Sequence, residues 1–360
     1  MADDFKYHID HHASLLTPPE IVEARAVGGD VDLRAAEDAA VSRALRTQRR
    51  LGLAALSDGE YRRRNHLSVV YDGVAGFGPA GAAGGPLAQL VGERHAPEIR
   101  TLVEAPAERG RLVKHETDFM LSAMQRPVLV ALPSPGYVAE LAAEAGGATA
   151  TADASSEAGE RLARILRDEI TAVAADGVRY VLLTNPAYGF LLTARGRARA
   201  VELGLDPDAV IERMLAADGQ VLAGLEAPQE FRVGLDITTA GAAGGPCDAA
   251  AVADFLGRSP FGRLCVEFPR DAAARFPLGE LPVGLVMSLG VVDVSDPALE
   301  DVDELVGRID AAAEIIDVDN IAISTNGGFH AAAAELDETA QHDKLQRVEM
   351  VARYLWGNEL

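Results

Sequence analysis

Arg263-Leu-Cys-Val-Glu267-Phe268 is a short apolar run that ends in a carboxylate. Two other stretches have the same form: Gly234-Leu-Asp236-Ile-Thr238 before it and Thr325-Asn-Gly327-Gly-Phe329 after it. Apolar runs of this length that end in polar or glycine residues are the pattern of parallel strands whose C-terminal ends open onto a pocket. Helical spacing surrounds them. It predicts helices over about 33–51, 112–124, 136–145, 156–175, 207–225, 248–257, 300–316 and 339–355. Strands are expected at 7–16, 53–56, 128–132, 178–183, 231–236, 264–268, 284–288 and 321–324. Eight strands alternating with helices make an α/β fold of the (β/α)8 TIM barrel type. The absence of Gly-x-Gly-x-x-Gly after the first strand argues against a dinucleotide-binding sheet.

The expected organisation is one barrel domain over 1–360 with a loop-rich insertion at about 62–110. That insertion carries an extra strand near 98–104. It also carries Gly76-Phe-Gly-Pro-Ala-Gly-Ala-Ala-Gly-Gly-Pro86, which reads as a flexible loop too glycine-rich for a regular element and does not match a P-loop.

Apolar residues make up 48% of the 360 and charged ones 24%, as in an ordinary globular protein. A net charge of −22 argues against nucleic acid and against an anionic membrane surface, both of which reward clustered Lys and Arg. No apolar run reaches the roughly 18–20 residues of a membrane span, and the N-terminus lacks the pattern of an export signal. Two cysteines, Cys247 and Cys265, give no disulfide framework. The expectation is a cytoplasmic protein acting on a small molecule, with room for a homo-oligomer.

Several motifs, in order, resemble the cobalamin-independent methionine synthase family in its short, single-barrel form. They are His11-His12-Ala13-Ser14-Leu15-Leu16-Thr17-Pro18, Asp58-Gly59-Glu60-Tyr61-Arg62-Arg63, Leu132-Pro133-Ser134-Pro135, Leu289-Gly290-Val291-Val292-Asp293 and Lys344-Leu345. The resemblance implies the fold already read from the strands, and a methyl transferase activity. It also places four family zinc positions on Asp236, Thr238, Glu267 and Gly327, and a substrate-binding aspartate position on Thr184. Zinc in such a site activates a thiol, and an Asp, a Glu and two residues without sulfur make a poor thiophilic site. No metal is therefore expected, Glu267 and Asp236 being the only candidates for one. A folate-type methyl donor is the one cofactor the resemblance suggests.

Glu267 and Asp236 end sequential strands and are expected to form a coupled carboxylate pair for acid–base work. Asp58 and Glu60 at the end of the second strand complete the catalytic candidates, Glu60 holding the substrate's polar head by resemblance. Ser14, His11 and His12 after strand one, Thr184 and Asn185 after strand four, and Tyr188 and Asn326 are the substrate-binding candidates. His66 and His330 lie past strand-end motifs, where a packed histidine is the ordinary reading. Cys265 reads as core. The activity expected is a divergent methyl or alkyl transfer without the family's zinc. The alternatives are a lyase that cleaves a C–S or C–C bond, in the manner of coenzyme M thioether chemistry or of decarboxylases in the same barrel superfamily, and a binding barrel without turnover.

Overall fold

The structure is a computed structural model that describes residues 8–145, 152–279 and 281–357. Two strands, β1 (Val74–Phe77) and β2 (Leu102–Glu108), pair antiparallel in the insertion. Six more form one parallel sheet in sequence order: β3 (Leu129–Pro133), β4 (Tyr180–Thr184), β5 (Arg232–Asp236), β6 (Arg263–Glu267), β7 (Val286–Val292) and β8 (Ile321–Thr325).

The first two expected strands are present as single parallel bridges, which close the six-stranded sheet into a ring. Leu56 bridges Val128 and Ile9 bridges Ile323, while Ser14 meets Gly59 between them. The reason for their brevity is local. Ala13 has φ 65° and Glu60 has φ 61°, so the chain leaves the extended region at both sites. Side chains take over the pairing there: His11 Nε2 lies 2.8 Å from the Ala55 carbonyl, and Ser57 Oγ donates to the Ala13 carbonyl at 2.6 Å. Gln48 clamps the Ser57 backbone on both sides. The start of the expected first strand at residue 7 lies outside the described residues. The architecture is a (β/α)8 barrel, six of whose strands form a continuous ladder.

The helices follow their start signals. Asp206, Asp248, Asp301 and Asp337 each accept a backbone N–H at the head of a helix, satisfying donors the helix itself leaves open. Two short helices, Pro186–Leu191 and Ala194–Glu202, went unread in the sequence, although Pro186 at the first turn and Thr193 as cap mark them. The glycine-rich stretch also holds more order than expected. Gly76 and Phe77 belong to β1, and Pro86 starts the helix Pro86–Val91. The expected strand near 98–104 is β2, shifted to Leu102–Glu108.

Inside the ring, Ala13, Ala55, Leu129, Ala131, Tyr180, Leu182 and Cys265 form a compact cluster. Asp10 lies among them and is paired with Arg263 at 2.7 Å. Cys265 is fully buried, a core residue. No helix of the described residues is long and apolar enough to cross a membrane.

Candidate functional site

A cavity of about 470 Å³ opens beside the C-terminal ends of the strands, where barrel folds carry their sites. Its wall includes Ser14, Glu60, Arg63, Asn65, His66 and His330. A void of about 20 Å³ shares His66 and His330 with that cavity and is lined further by His95, Thr184, Asp236, Thr238 and Gly327. The two histidines therefore stand between an open chamber and a polar floor.

His330 is set by the loop after β8. Its Nδ1 lies 2.9 Å from Ser14 Oγ, which also accepts the His330 backbone N–H. Its other ring nitrogen has no hydrogen-bond partner among the described residues. His330 is exposed on the cavity side; desolvation of its ring by the surrounding protein lowers its pKa below the usual histidine value, with the neighbouring rings of His66, His95 and His12 adding to the effect. The His66 ring lies tilted at 4.5 Å from it and its pKa is pushed down to about 4, first by burial. Both shifts favour the neutral imidazole.

The floor is a charge pair. His12 Nδ1 lies 2.6 Å from Asp236 Oδ2, and Thr238 donates from both its backbone N and its Oγ1 to the other carboxylate oxygen. Burial alone would lower the His12 pKa. The Asp236 carboxylate and the Thr325 carbonyl overcome that and raise it.

Glu60 joins the wall through a buried fork. Arg63 donates to Glu60 Oε1 at 2.8 Å, to both oxygens of Glu116 and to the Ala131 carbonyl. Asp58 supports the turn by accepting the Glu60 N–H, and its second oxygen is buried without a partner among the described residues. Burial, reinforced by Glu116, moves Asp58 up to about 7, and burial moves Glu60 up to about 7. Three carboxylates around one guanidinium leave a proton to be held at this corner.

Several expected site residues are placed elsewhere. Asp236 and Glu267 are not a coupled pair. In the β5–β6 register Asp236 faces Cys265, and its carboxylate is taken by His12 and Thr238. Glu267 instead accepts from Thr239 N, Thr239 Oγ1 and Gly241 N, and it lines a different pocket. The strand pleat puts both residues at the mouth, but the β5 loop claims each carboxylate separately. His11 spends one nitrogen on the Ala55 carbonyl and the other on the Ala13 N–H, so it joins barrel strands and does not face the cavity. Asn185 and Tyr188 both donate to Asp218 in a fully buried network that pins the helix Pro207–Leu222, and neither lines the site. Asn326 holds Asp293 and Val294 in the loop after β7. Ser14, Glu60, His12 and Thr184 do converge on the site, with Asp58 behind Glu60. His95 was missed in the sequence. It follows no strand, and its Nε2 reaches the Thr239 carbonyl across the mouth from the insertion.

At the positions that the resemblance gives to zinc, Asp236 and Glu267 carry carboxylates, and Thr238 and Gly327 carry no sulfur. Among the described residues no group of three or more His, Cys, Asp or Glu side chains could hold a metal. Thr238 is spent on Asp236, and a Cβ at Gly327 would meet Ala240 Cβ and backbone at 3.1–3.2 Å, leaving no room for a ligating side chain.

No family model matches the chain. It is 25% identical over 372 residues to "Uncharacterized protein YxjH" of Bacillus subtilis (strain 168), covering 97% of this chain and 95% of that protein. Among solved structures, a B12-independent methionine synthase from Shewanella sp. W3-18-1, in complex with selenomethionine, superposes with a TM-score of 0.77 at 18% identity over 98% of both chains. A methyltransferase from Methanosarcina mazei superposes with a TM-score of 0.53 at 12% identity, over 98% of this chain and 95% of its own. Over nearly its whole length, the chain has the fold of the cobalamin-independent methionine synthases.

Proposed function

We propose that this barrel is an enzyme that transfers a methyl or other small alkyl group to an acceptor held in the 470 Å³ cavity. The observation that carries the reading is His330: an imidazole that lines both the open chamber and the floor and has one ring nitrogen uncommitted among the described residues. With Nδ1–H donating to Ser14, Nε2 holds the lone pair and takes the acceptor's proton as its nucleophilic atom attacks the alkyl carbon. The bond from that carbon to the donor's heteroatom breaks, and the electron pair leaves with the donor. Glu60 supplies negative charge for a cationic head such as an ammonium group. Binding such a group stabilises the carboxylate form of a residue whose pKa lies at about 7. The His12–Asp236 pair keeps the floor polar without a metal. The likeness in fold to a methionine synthase and a methyltransferase supports this class of reaction.

The test is a screen of amino thiols and other nucleophilic acceptors against methylated folates and thioethers, with products read by mass spectrometry. On the active pair, His330→Gln should lower kcat by about 10²-fold or more, within the usual range for a general base. Glu60→Gln should chiefly raise KM. Cleavage that proceeds at full rate without an acceptor would replace this reading with a lyase.

A further inference from the structure

A second pocket, of about 140 Å³, lies beside the first at the ends of β5 and β6. Its wall is largely apolar, with Leu192, Ile237, Val266, Ala243 and Phe276 around Glu267. No Lys, Arg or His lines it. The turn 239–241 separates the two chambers. Ala240 lines the histidine void, while Thr239 and Gly241 line this pocket, and a Glu267 oxygen holds the turn from the inside.

Glu267 is electrostatically unfinished. One carboxylate oxygen accepts three hydrogen bonds, at 2.6, 2.6 and 3.2 Å, and the other has no partner among the described residues. No ion pair of the described residues includes it. Arg195 reaches the rim beside Gly244. Glu267 is half-buried in a mostly apolar wall, and a cation brought to its open oxygen satisfies both charge and geometry. Cavities of about 150 Å³ hold a benzene-sized molecule.

We propose that this pocket binds a small organic cation: an ammonium or amidinium group on Glu267, carried by a monocyclic or short branched hydrocarbon body. The charged head meets the free carboxylate oxygen, and the body packs against Leu192, Ile237, Val266 and Phe276. Neither the transferase reading nor any turnover is needed for this site to exist.

Calorimetric titration of the full chain with benzylamine and with benzamidine tests it, with benzyl alcohol as the uncharged control. Both cations should bind with millimolar or tighter Kd, and the alcohol at least about tenfold more weakly. Glu267→Gln keeps an acceptor for Thr239 and Gly241 but removes the charge, and it should weaken both cations by at least about tenfold. Ala243→Leu fills the pocket and leaves the carboxylate in place, so it should abolish binding even where Glu267→Gln fails to fold. Absence of binding to the unmodified chain overturns the proposal. So does equal affinity for benzylamine and benzyl alcohol, unchanged affinity in Glu267→Gln, or unchanged affinity in Ala243→Leu.

Discussion

His12 Nε2 lies 2.9 Å from the Thr325 carbonyl while His12 Nδ1 lies 2.6 Å from Asp236, so one ring ties the start of the barrel to the ends of β8 and β5. Both nitrogens face acceptors, and an imidazole that satisfies two acceptors carries two protons. Asp236→Asn should leave that cation buried without its counter-charge and destabilise the fold by roughly 3–5 kcal/mol. Because the His12 pKa is raised in the folded state, its contribution is fully present below the unfolded value near 6.5 and fades as pH rises through the folded value. Nitrogen NMR of His12 at pH 7 decides the matter. The spectrum of a single neutral tautomer would sink the assignment.

The Asp58 corner has a pH signature of its own. Its carboxyl moves from an ordinary value of 3.8 to about 7 in the fold, so the folded protein holds a proton that the unfolded chain has released. Stability from this group is full below about pH 4 and declines as pH rises towards 7. Asp58→Asn should therefore gain stability relative to the unsubstituted protein between pH 5 and pH 8, as urea denaturation at the two pH values would show. A difference that does not change with pH would place the proton on Glu60 instead.

Arg63 is a poor candidate for conservative replacement. Its guanidinium serves Glu60, Glu116 and the Ala131 carbonyl at once, which a lysine ammonium cannot reproduce. Arg63→Met should cost roughly 3–5 kcal/mol by stranding buried carboxylates. Arg63→Lys should fall between Met and the parent. Chemical denaturation of the three proteins in parallel would expose any other order.

Gly290 in β7 is required by space rather than by turn geometry. A Cβ there would lie 2.7 Å from Asn326 Cα and from the Thr325 carbonyl oxygen, and both contacts are to backbone. Gly290→Ala should push the β7 and β8 ends apart and cost roughly 1–3 kcal/mol. It should also lower activity, since Asn326 and Gly327 lie beside the floor. A thermal midpoint equal to that of the parent would contradict the close approach.

How much of this could be read in the sequence depended on which physical signal each residue leaves. The strands from 128 onward announce themselves as buried apolar runs, because a parallel ladder covered on both faces needs nothing else. The segments around His11 and Leu53 have the same apolar look, but the positive φ at Ala13 and the side-chain bonds of Gln48 and Ser57 leave no mark in a periodicity. Asp58 and Glu60 were legible as a short motif, whereas the fork from Arg63 to Glu116 joins residues 53 positions apart. Asn185 and Tyr188 look like strand-end polar residues and become structural only because Asp218, on the next long helix, is turned inward. His95 had no motif to mark it. The pairing of Asp236 with Glu267 failed for a related reason: strand order places two carboxylates near each other, but the loop between them decides what each one bonds.

The two staves pinned by side chains give the barrel an uneven grain. Six strands share a ladder whose register rests on backbone hydrogen bonds, so substitutions on them that avoid close backbone approaches such as that at Gly290 leave the pairing in place. Segments 8–14 and 53–60 are held by side chains (Gln48, Ser57 and His11 between them, His12 and Asp10 to β5, β6 and β8) and a few isolated bridges, and they carry Ser14 and Glu60 into the cavity. For an engineer, the substrate-facing edge is thus adjustable at Ser14 and Glu60, provided the His12 and Asp10 ties to the frame are kept. New head-group specificity can be written into two short, privately anchored segments, while the remaining three-quarters of the ring stays as a fixed chassis.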